Sequence, residues 1–212
     1  MKEWETKMRI EKFVIGYIAT NCYLLVNDVT KEIVIIDPAT SPDYLMSHVK
    51  SKGYVPKAIF LTHGHFDHIM GIEGWLEEYD IPVYHHEVET ELLATPSMNL
   101  STMLGRNFVF DKGVLLKDGQ VFEVAGITFR VIHTPGHTSG GCCYYVEEEG
   151  VLFSGDTLFY RSMGRTDFPT GDESTLMKSI REKLLCLPED TTVYPGHDRE
   201  TKIGKEMYLF GL

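Results

Sequence analysis

The sequence is poor in cysteine, short of basic charge and without a long apolar run, and each shortage excludes something. The four cysteines in 212 residues are Cys22, Cys142, Cys143 and Cys186, and they form no Cys-x-x-Cys pair. In a reducing compartment they read as small buried hydrophobes, with Cys142 and Cys143 on opposite faces if they share a strand. Lys and Arg number 20 against 31 Asp and Glu, a formal net charge of −11. Binding a phosphate backbone relies on clustered Lys and Arg, so nucleic acid is not an expected partner, although local positive charge at a site's mouth is compatible with a small anionic substrate. No stretch approaches the roughly 18 consecutive apolar residues that cross a bilayer. The start, Met1-Lys2-Glu3-Trp4-Glu5-Thr6-Lys7, is charged where a secretory signal needs an apolar stretch. The expected address is therefore the cytosol, with no membrane partner.

What is present is a compact core and a dense set of metal-binding side chains. With 43% hydrophobic residues over 212 positions, the chain can bury one sizeable core, and a single domain over 1–212 is expected. The segment Thr62-His63-Gly64-His65-Phe66-Asp67-His68 packs three imidazoles and a carboxylate directly after the apolar run Ala58-Ile59-Phe60-Leu61. In extended backbone side chains alternate, so His63 and His65 face one way and can bind one metal together. Asp67 and His68 cannot both join them, and they are expected to face a second ion beside the first. Zinc sites take His, Asp and Cys ligands, and a catalytic site keeps a position for water. Further candidates lie in Thr134-Pro135-Gly136-His137, Ser154-Gly155-Asp156-Thr157 and Tyr194-Pro195-Gly196-His197. In each, a strand-like run ends in a Gly or Pro-Gly turn with a potential ligand at or just past it, so four strand ends would converge on one edge of a sheet.

Periodicity and punctuation predict an opening meander of strands over Met8–Val14, Asn21–Val26 and Glu32–Ile36. A helix capped by Ser41 then runs to about Lys52 and stops at Gly53. The strand Ala58–Leu61, a helix Ile69–Tyr79, a strand Val83–Tyr84 and a helix around Glu87–Leu93 complete a first half. Strands over Gln120–Val124, Ile127–His133, Cys142–Val146 and Val151–Phe153, and a helix capped by Ser174 that ends near Leu185, repeat the plan. Runs of strands with helices outside them imply an α+β fold of two sheets covered by helices. Between the halves, Thr95 to Gly113 shows little periodicity and reads as a binding loop or surface excursion, with Met98, Met103 and Phe108 as a candidate apolar wall. His85 and His86 are adjacent and diverge, His48 lies in a helix and His133 in a strand, and none of the four is expected to be a ligand.

The ordered set His-x-His-x-Asp-His at 63–68, Pro-Gly-His-Thr at 135–138, Gly-Asp-Thr-Leu-Phe at 155–159 and Pro-Gly-His at 195–197 resembles the metallo-β-lactamase superfamily, and within it the glyoxalase II-like hydrolases. The resemblance implies a four-layer αββα sandwich of two mixed sheets. It implies that His63, His65 and His137 hold one divalent metal ion and Asp67, His68 and His197 a second, with Asp156 between them. Zinc is the first expectation, iron or manganese the alternatives. Two cations roughly 3.5–4 Å apart lower the pKa of a shared water towards neutrality, so hydroxide forms without a protein general base and attacks a thioester carbonyl, and Asp67 adds a catalytic role by orienting it. The expected partner is a small thioester, and a monomer or a small homo-oligomer is expected.

In glyoxalase II relatives a basic residue nine positions after the bridging aspartate helps hold glutathione; here that position is Arg165. The larger enzymes add a C-terminal helical domain, whereas this chain continues for only 15 residues after His197. Tyrosines that they use are replaced by Asp167 and Arg199, so the short bacterial-type glyoxalase II-like proteins are the closer resemblance. Persulfide dioxygenases are similar as well, including Gly164-Arg165-Thr166-Asp167-Phe168. That resemblance implies a single iron on His63, His137 and Asp156.

Overall fold

The computed structural model describes residues 8–40 and 42–211. The charged start Met1–Lys7 and the Ser41 cap lie outside the described residues. Six strands form the first sheet in the order of the chain: β1 (Met8–Ile15), β2 (Thr20–Asn27), β3 (Glu32–Ile36), β4 (Val55–Phe60), β5 (Val83–His86) and β6 (Val114–Leu116). The pairs β1–β2 and β2–β3 are antiparallel, and β3–β4, β4–β5 and β5–β6 are parallel. The second sheet contains β7 (Val121–Val124), β8 (Ile127–His133), β9 (Cys142–Val146) and β10 (Val151–Gly155) in antiparallel succession. A two-stranded ribbon, β11 (Leu158–Phe159) and β12 (Ser162–Met163), projects between β10 and β13 (Thr192–Pro195). β13 runs parallel to β10, and β14 (Thr201–Lys202) closes the edge.

The strand period of two sorts side chains into three cores. In β2, Tyr23 and Leu25 enter the space between the sheets, while Cys22, Leu24 and Val26 face the outer helices. In β9, Cys142, Tyr144 and Val146 point between the sheets and Cys143 and Tyr145 point outward, which separates the two adjacent cysteines as expected. Helices cover both outer faces. On one side lie α1 (Asp43–Lys52) and α3 (Ile72–Glu78), through Leu45, Val49, Ile72 and Trp75. On the other lies α5 (Glu173–Ser179), prolonged by a π turn over Ile180–Leu184, through Leu176, Ile180 and Leu184. The result is the four-layer αββα sandwich.

Phe60, at the end of β4, anchors the middle layer. Its ring meets Phe129 at 4.8 Å, Tyr144 at 4.9 Å and Tyr84 at 5.2 Å between centroids. Truncating such a residue to alanine costs about 3–5 kcal/mol, so the strand that feeds the His63 segment is fixed by this aromatic packing.

Several element boundaries differ from expectation. The helix expected over Ile69–Tyr79 is broken into α2 (Phe66–Ile69) and α3. At the break sits Gly71, where a Cβ would lie 2.6 Å from the Pro38 carbonyl oxygen, so only glycine lets the two backbones approach. The stretch Glu87–Leu93 divides into a 3-10 turn and α4 (Thr90–Ala94). The second-half helix is capped by Asp172, whose Oδ1 accepts from the Thr175 N–H at 2.7 Å, rather than by Ser174. The 95–113 loop is pinned by buried Asn99, which donates to the Phe108 carbonyl at 3.0 Å and accepts from the Ser101 N–H at 3.0 Å. Only part of its expected apolar wall faces a cavity: Met103 does, Phe108 packs into the core, and Met98 lines neither cavity described below.

Candidate metal centre

β4 ends at Phe60 and leads through a bend at Thr62 to His65, whose backbone is extended, and α2 then turns Asp67 and His68 inward. The second sheet supplies the facing ligands at the ends of its strands: His137 in the turn after β8, Asp156 directly after β10 and His197 after β13. The two sheets are stitched at this edge, where the Cys142 N–H donates to the Thr62 carbonyl at 2.8 Å and the Asn21 N–H to the Gly196 carbonyl at 2.7 Å. Gly196 lies against the ligands themselves, since a Cβ there would sit 2.7 Å from the His68 ring.

All seven residues singled out from the sequence as ligands come together. The ligand atoms of His63, His65 and His137 lie within 4.8 Å of one another, and so do those of Asp67, His68 and His197. Asp156 reaches both groups, with Oδ2 3.6 Å from the His137 Nε2 and 3.6 Å from the His197 Nε2, and Oδ1 3.5 Å from the His68 Nε2. In the first group the His65 Nδ1 stands 2.9 Å from the His137 Nε2. In the second, the Asp67 Oδ2 is 3.2 Å from the Nε2 atoms of both His68 and His197. His48, His85, His86 and His133 stand apart from both groups. His86 and His133 stack on each other at 4.0 Å between centroids, bridging the sheets.

The donor chemistry fits a pair of divalent cations. The His63 Nε2, His68 Nε2 and Asp156 Oδ1 are buried without a hydrogen-bond partner, which is costly unless something binds them. Imidazole nitrogen and carboxylate oxygen are the donors that zinc and iron accept. Burial, reinforced by neighbouring imidazoles, lowers His63 well below the ordinary histidine range and takes His65 down to about 3. Both are therefore neutral and able to ligate at working pH. His68 goes the other way: burial would lower it, but the carboxylates of Asp67, Asp37 and Asp156 hold it well above its ordinary value.

The residues that orient the ligands were not identified from the sequence. Asp37, buried at the end of β3, accepts from the His68 Nδ1 at 2.9 Å, from the Thr62 N–H at 2.8 Å and from the Thr62 hydroxyl at 2.7 Å. Donation from Nδ1 leaves the His68 Nε2 for the centre. The His137 Nδ1 donates to the Arg165 carbonyl at 2.7 Å, with the same effect. Glu89 ties the two ligand loops together, its oxygens accepting from the Gly64 and Gly140 N–H groups at 2.8 Å each, and burial raises its carboxyl to about 7. Thr20 donates to the Asp67 Oδ2 at 2.9 Å.

A cleft of about 560 Å³ opens over the ligands, with His65, Asp67, His137, Asp156 and His197 at its floor and Met103, Phe159, Met163 and Phe168 among its walls. Arg165 stands at its rim, exposed. Its guanidinium lies 3.9 Å from the Phe168 ring centroid, and it donates to both oxygens of Asp167, at 2.7 and 2.6 Å.

The sequence profile of the metallo-beta-lactamase superfamily matches residues 15–197, which takes in all seven ligand candidates. The chain belongs to the metallo-β-lactamase superfamily. Among curated relatives, it is 39% identical to the probable metallo-hydrolase YqgX of Bacillus subtilis, over 92% of this chain and 93% of that protein. It is 32% identical to the hydroxyacylglutathione hydrolase GloC of Haemophilus influenzae, over 94% and 95% respectively. Among solved structures, BLEG-1 B3 metallo-beta-lactamase superposes with a TM-score of 0.88 at 43% identity, covering 94% of this chain and 97% of that one. TTHA1623 in a di-iron-bound form gives 0.82 at 34% identity, with 92% and 96% covered. ETHE1 from Myxococcus xanthus gives 0.79 at 28% identity, with 96% and 84% covered. No helix among the described residues is long and apolar enough to cross a membrane.

Proposed function

We propose that this protein is a binuclear metallohydrolase that cleaves a small thioester of the hydroxyacylglutathione hydrolase (glyoxalase II) type. The observation that carries the reading is the pair of ligand groups joined by Asp156 on the floor of an open cleft, and the likeness to GloC supports the thioester. His63, His65 and His137 would hold one cation and Asp67, His68 and His197 the other, with Asp156 shared. Zinc suits these donors, and the likeness to the di-iron form of TTHA1623 supports iron as the alternative. When bound, such cations supply Lewis acidity to a carbonyl oxygen and lower the pKa of water.

The chain's own residues do the remainder. Asp67, its Oδ2 fixed by Thr20, offers its other oxygen to orient a water below the scissile carbonyl. Asp37 and the Arg165 carbonyl keep His68 and His137 in the tautomers that face the centre. Met103, Phe159, Met163 and Phe168 exclude solvent from the bound thioester. Arg165 contributes positive charge at the rim for an anionic substrate, through the part of its guanidinium that Asp167 leaves free. We place the protein in the cytosol as a single domain, monomeric or a small homo-oligomer, with neither nucleic acid nor membrane as partner.

The likeness to ETHE1 favours a second reading, a persulfide dioxygenase with one iron on His63, His137 and Asp156. A panel of thioesters, a lactone, a β-lactam and a persulfide, assayed on zinc-, iron- and manganese-loaded protein, separates the two. Thioester cleavage is the expected result. Oxygen uptake with the persulfide and no thioester turnover would overturn it.

A further inference from the structure

We infer that one arm of the substrate leaves the metal centre through a second groove and ends in a carboxylate held by Arg106. The inference rests on the thioester reading above and deepens it. The groove, about 350 Å³, runs between the turn joining β1 to β2 and the 3-10 turn at Ser101–Leu104, and Arg106 lines it. Ile18, Phe66 and Asp67 line this groove and the larger cleft alike. The two spaces therefore meet at Asp67, where the reacting bond would lie, and a substrate cleaved there has an arm in each.

The walls state the chemistry of the arm. Tyr17, Ile18, Met70 and Leu104 make the groove apolar. Three of them are left uncovered by the fold, with Tyr17 100%, Ile18 50% and Leu104 47% exposed. Uncovered apolar side chains around one concavity are the usual mark of a ligand groove.

Arg106 is the one basic residue among those that line it. Among the described residues it makes no ion pair, and only its backbone N–H is engaged, on the Ser101 carbonyl at 3.1 Å. Of the other arginines, Arg165 lines the larger cleft and not this groove, with two of its nitrogens on Asp167, and Arg161 and Arg199 lie on the Tyr160 ring. A guanidinium presents a planar fork that matches a carboxylate. With one cation in the groove, Asp67 at its inner end and a chain of net charge −11, a singly charged carboxylate is balanced where a phosphate dianion is not.

Matched thioester pairs test this on the zinc-loaded protein. One pair, S-hexanoyl and S-adipoyl N-acetylcysteamine, places the carboxylate on the acyl arm. The other, hexanoyl thioesters of propanethiol and 3-mercaptopropionate, places it on the thiol arm. In the wild type kcat/KM should favour the anionic member of one pair by about tenfold, the worth of one charge-assisted hydrogen bond. Arg106→Ala should bring that ratio close to one, Arg106→Lys should leave it between, and about 0.5 M salt should shrink it.

No tenfold anionic preference in either pair, or a tenfold preference that survives Arg106→Ala, would overturn the proposal. Stronger preference for an ω-phosphate analogue than for the carboxylate would overturn the choice of carboxylate. Calorimetric binding of the uncleavable thioether analogue of the preferred anionic ester separates this from failure of the hydrolase reading. If no thioester is turned over but Arg106→Ala still weakens thioether binding about tenfold, the groove stands and the reaction is wrong.

Discussion

Replacing Asp37 by asparagine tests how the centre is held without touching a ligand. Asp37 accepts three hydrogen bonds: from the Thr62 N–H, from the Thr62 hydroxyl and from the His68 Nδ1. Asparagine keeps an oxygen for the Thr62 N–H and puts an NH2 where the other oxygen was. Thr62 adapts by rotating its hydroxyl. His68 has two responses, both damaging. It keeps the proton on Nδ1 and faces a donor, losing a charge-assisted hydrogen bond worth about 1.5–3 kcal/mol; or it moves the proton to Nε2 and withdraws the lone pair aimed at Asp67 and Asp156. Either way the affinity of the His68 group for its ion should fall 10- to 100-fold, about 1.4–2.7 kcal/mol. The group of His63, His65 and His137 should change much less. Competition for zinc against a chromophoric chelator measures the two sites, and thermal unfolding of the metal-free proteins controls for a general loss of fold. Two sites with wild-type affinity in Asp37→Asn would refute the reasoning, and so would equal weakening of both.

Three further outcomes follow from the same contacts. His65→Ala should deplete metal and abolish turnover, since the His65 Nδ1 faces the His137 Nε2 at 2.9 Å; retained metal and full activity would contradict its place in the centre. Arg165→Ala should raise KM for an anionic thioester by about fivefold or less with little metal loss, because an exposed cation already paired with Asp167 contributes little; an unchanged KM would make its role purely structural. Burial pushes Glu11 upward, but Tyr54, His48 and Arg9 hold it below the usual glutamate value. Its contribution is thus present above about pH 4.5 and lost as pH falls through its folded pKa, so wild type should exceed Glu11→Gln in Tm at pH 7, and the gap should narrow as pH falls below about 4.5.

Much of this was legible in the sequence, for identifiable reasons. The opposite faces of Cys142 and Cys143 followed from the strand period alone, and the structure sorts Cys22 to Val26 by the same period. His63, His65, Asp67 and His68 were legible from their density in one segment, and His137, Asp156 and His197 because each follows a strand end marked by glycine or proline. The same rule, applied to the run Ile33–Ile36, points to Asp37. Glu89 carries no such mark: it sits among Glu87 and Glu91, and only tertiary packing selects it for burial. The short strands β6, β11, β12 and β14 were missed because two or three residues hold too little pattern to read. The break at Gly71 depends on the Pro38–Thr40 backbone, which no local signal near residue 71 reports. Arg165 was visible as a charge at the right place; its pairing with Asp167, two positions on, decides how much of that charge a substrate meets.

In the proposed reaction two neighbouring cations serve one hydrolytic centre. Elemental analysis of protein purified without chelators, combined with thioester turnover on the same sample, tests it most directly. Two metal ions per chain are expected, with turnover that falls as a chelator removes them. One iron per chain, no thioester cleavage and oxygen uptake with a persulfide would contradict it.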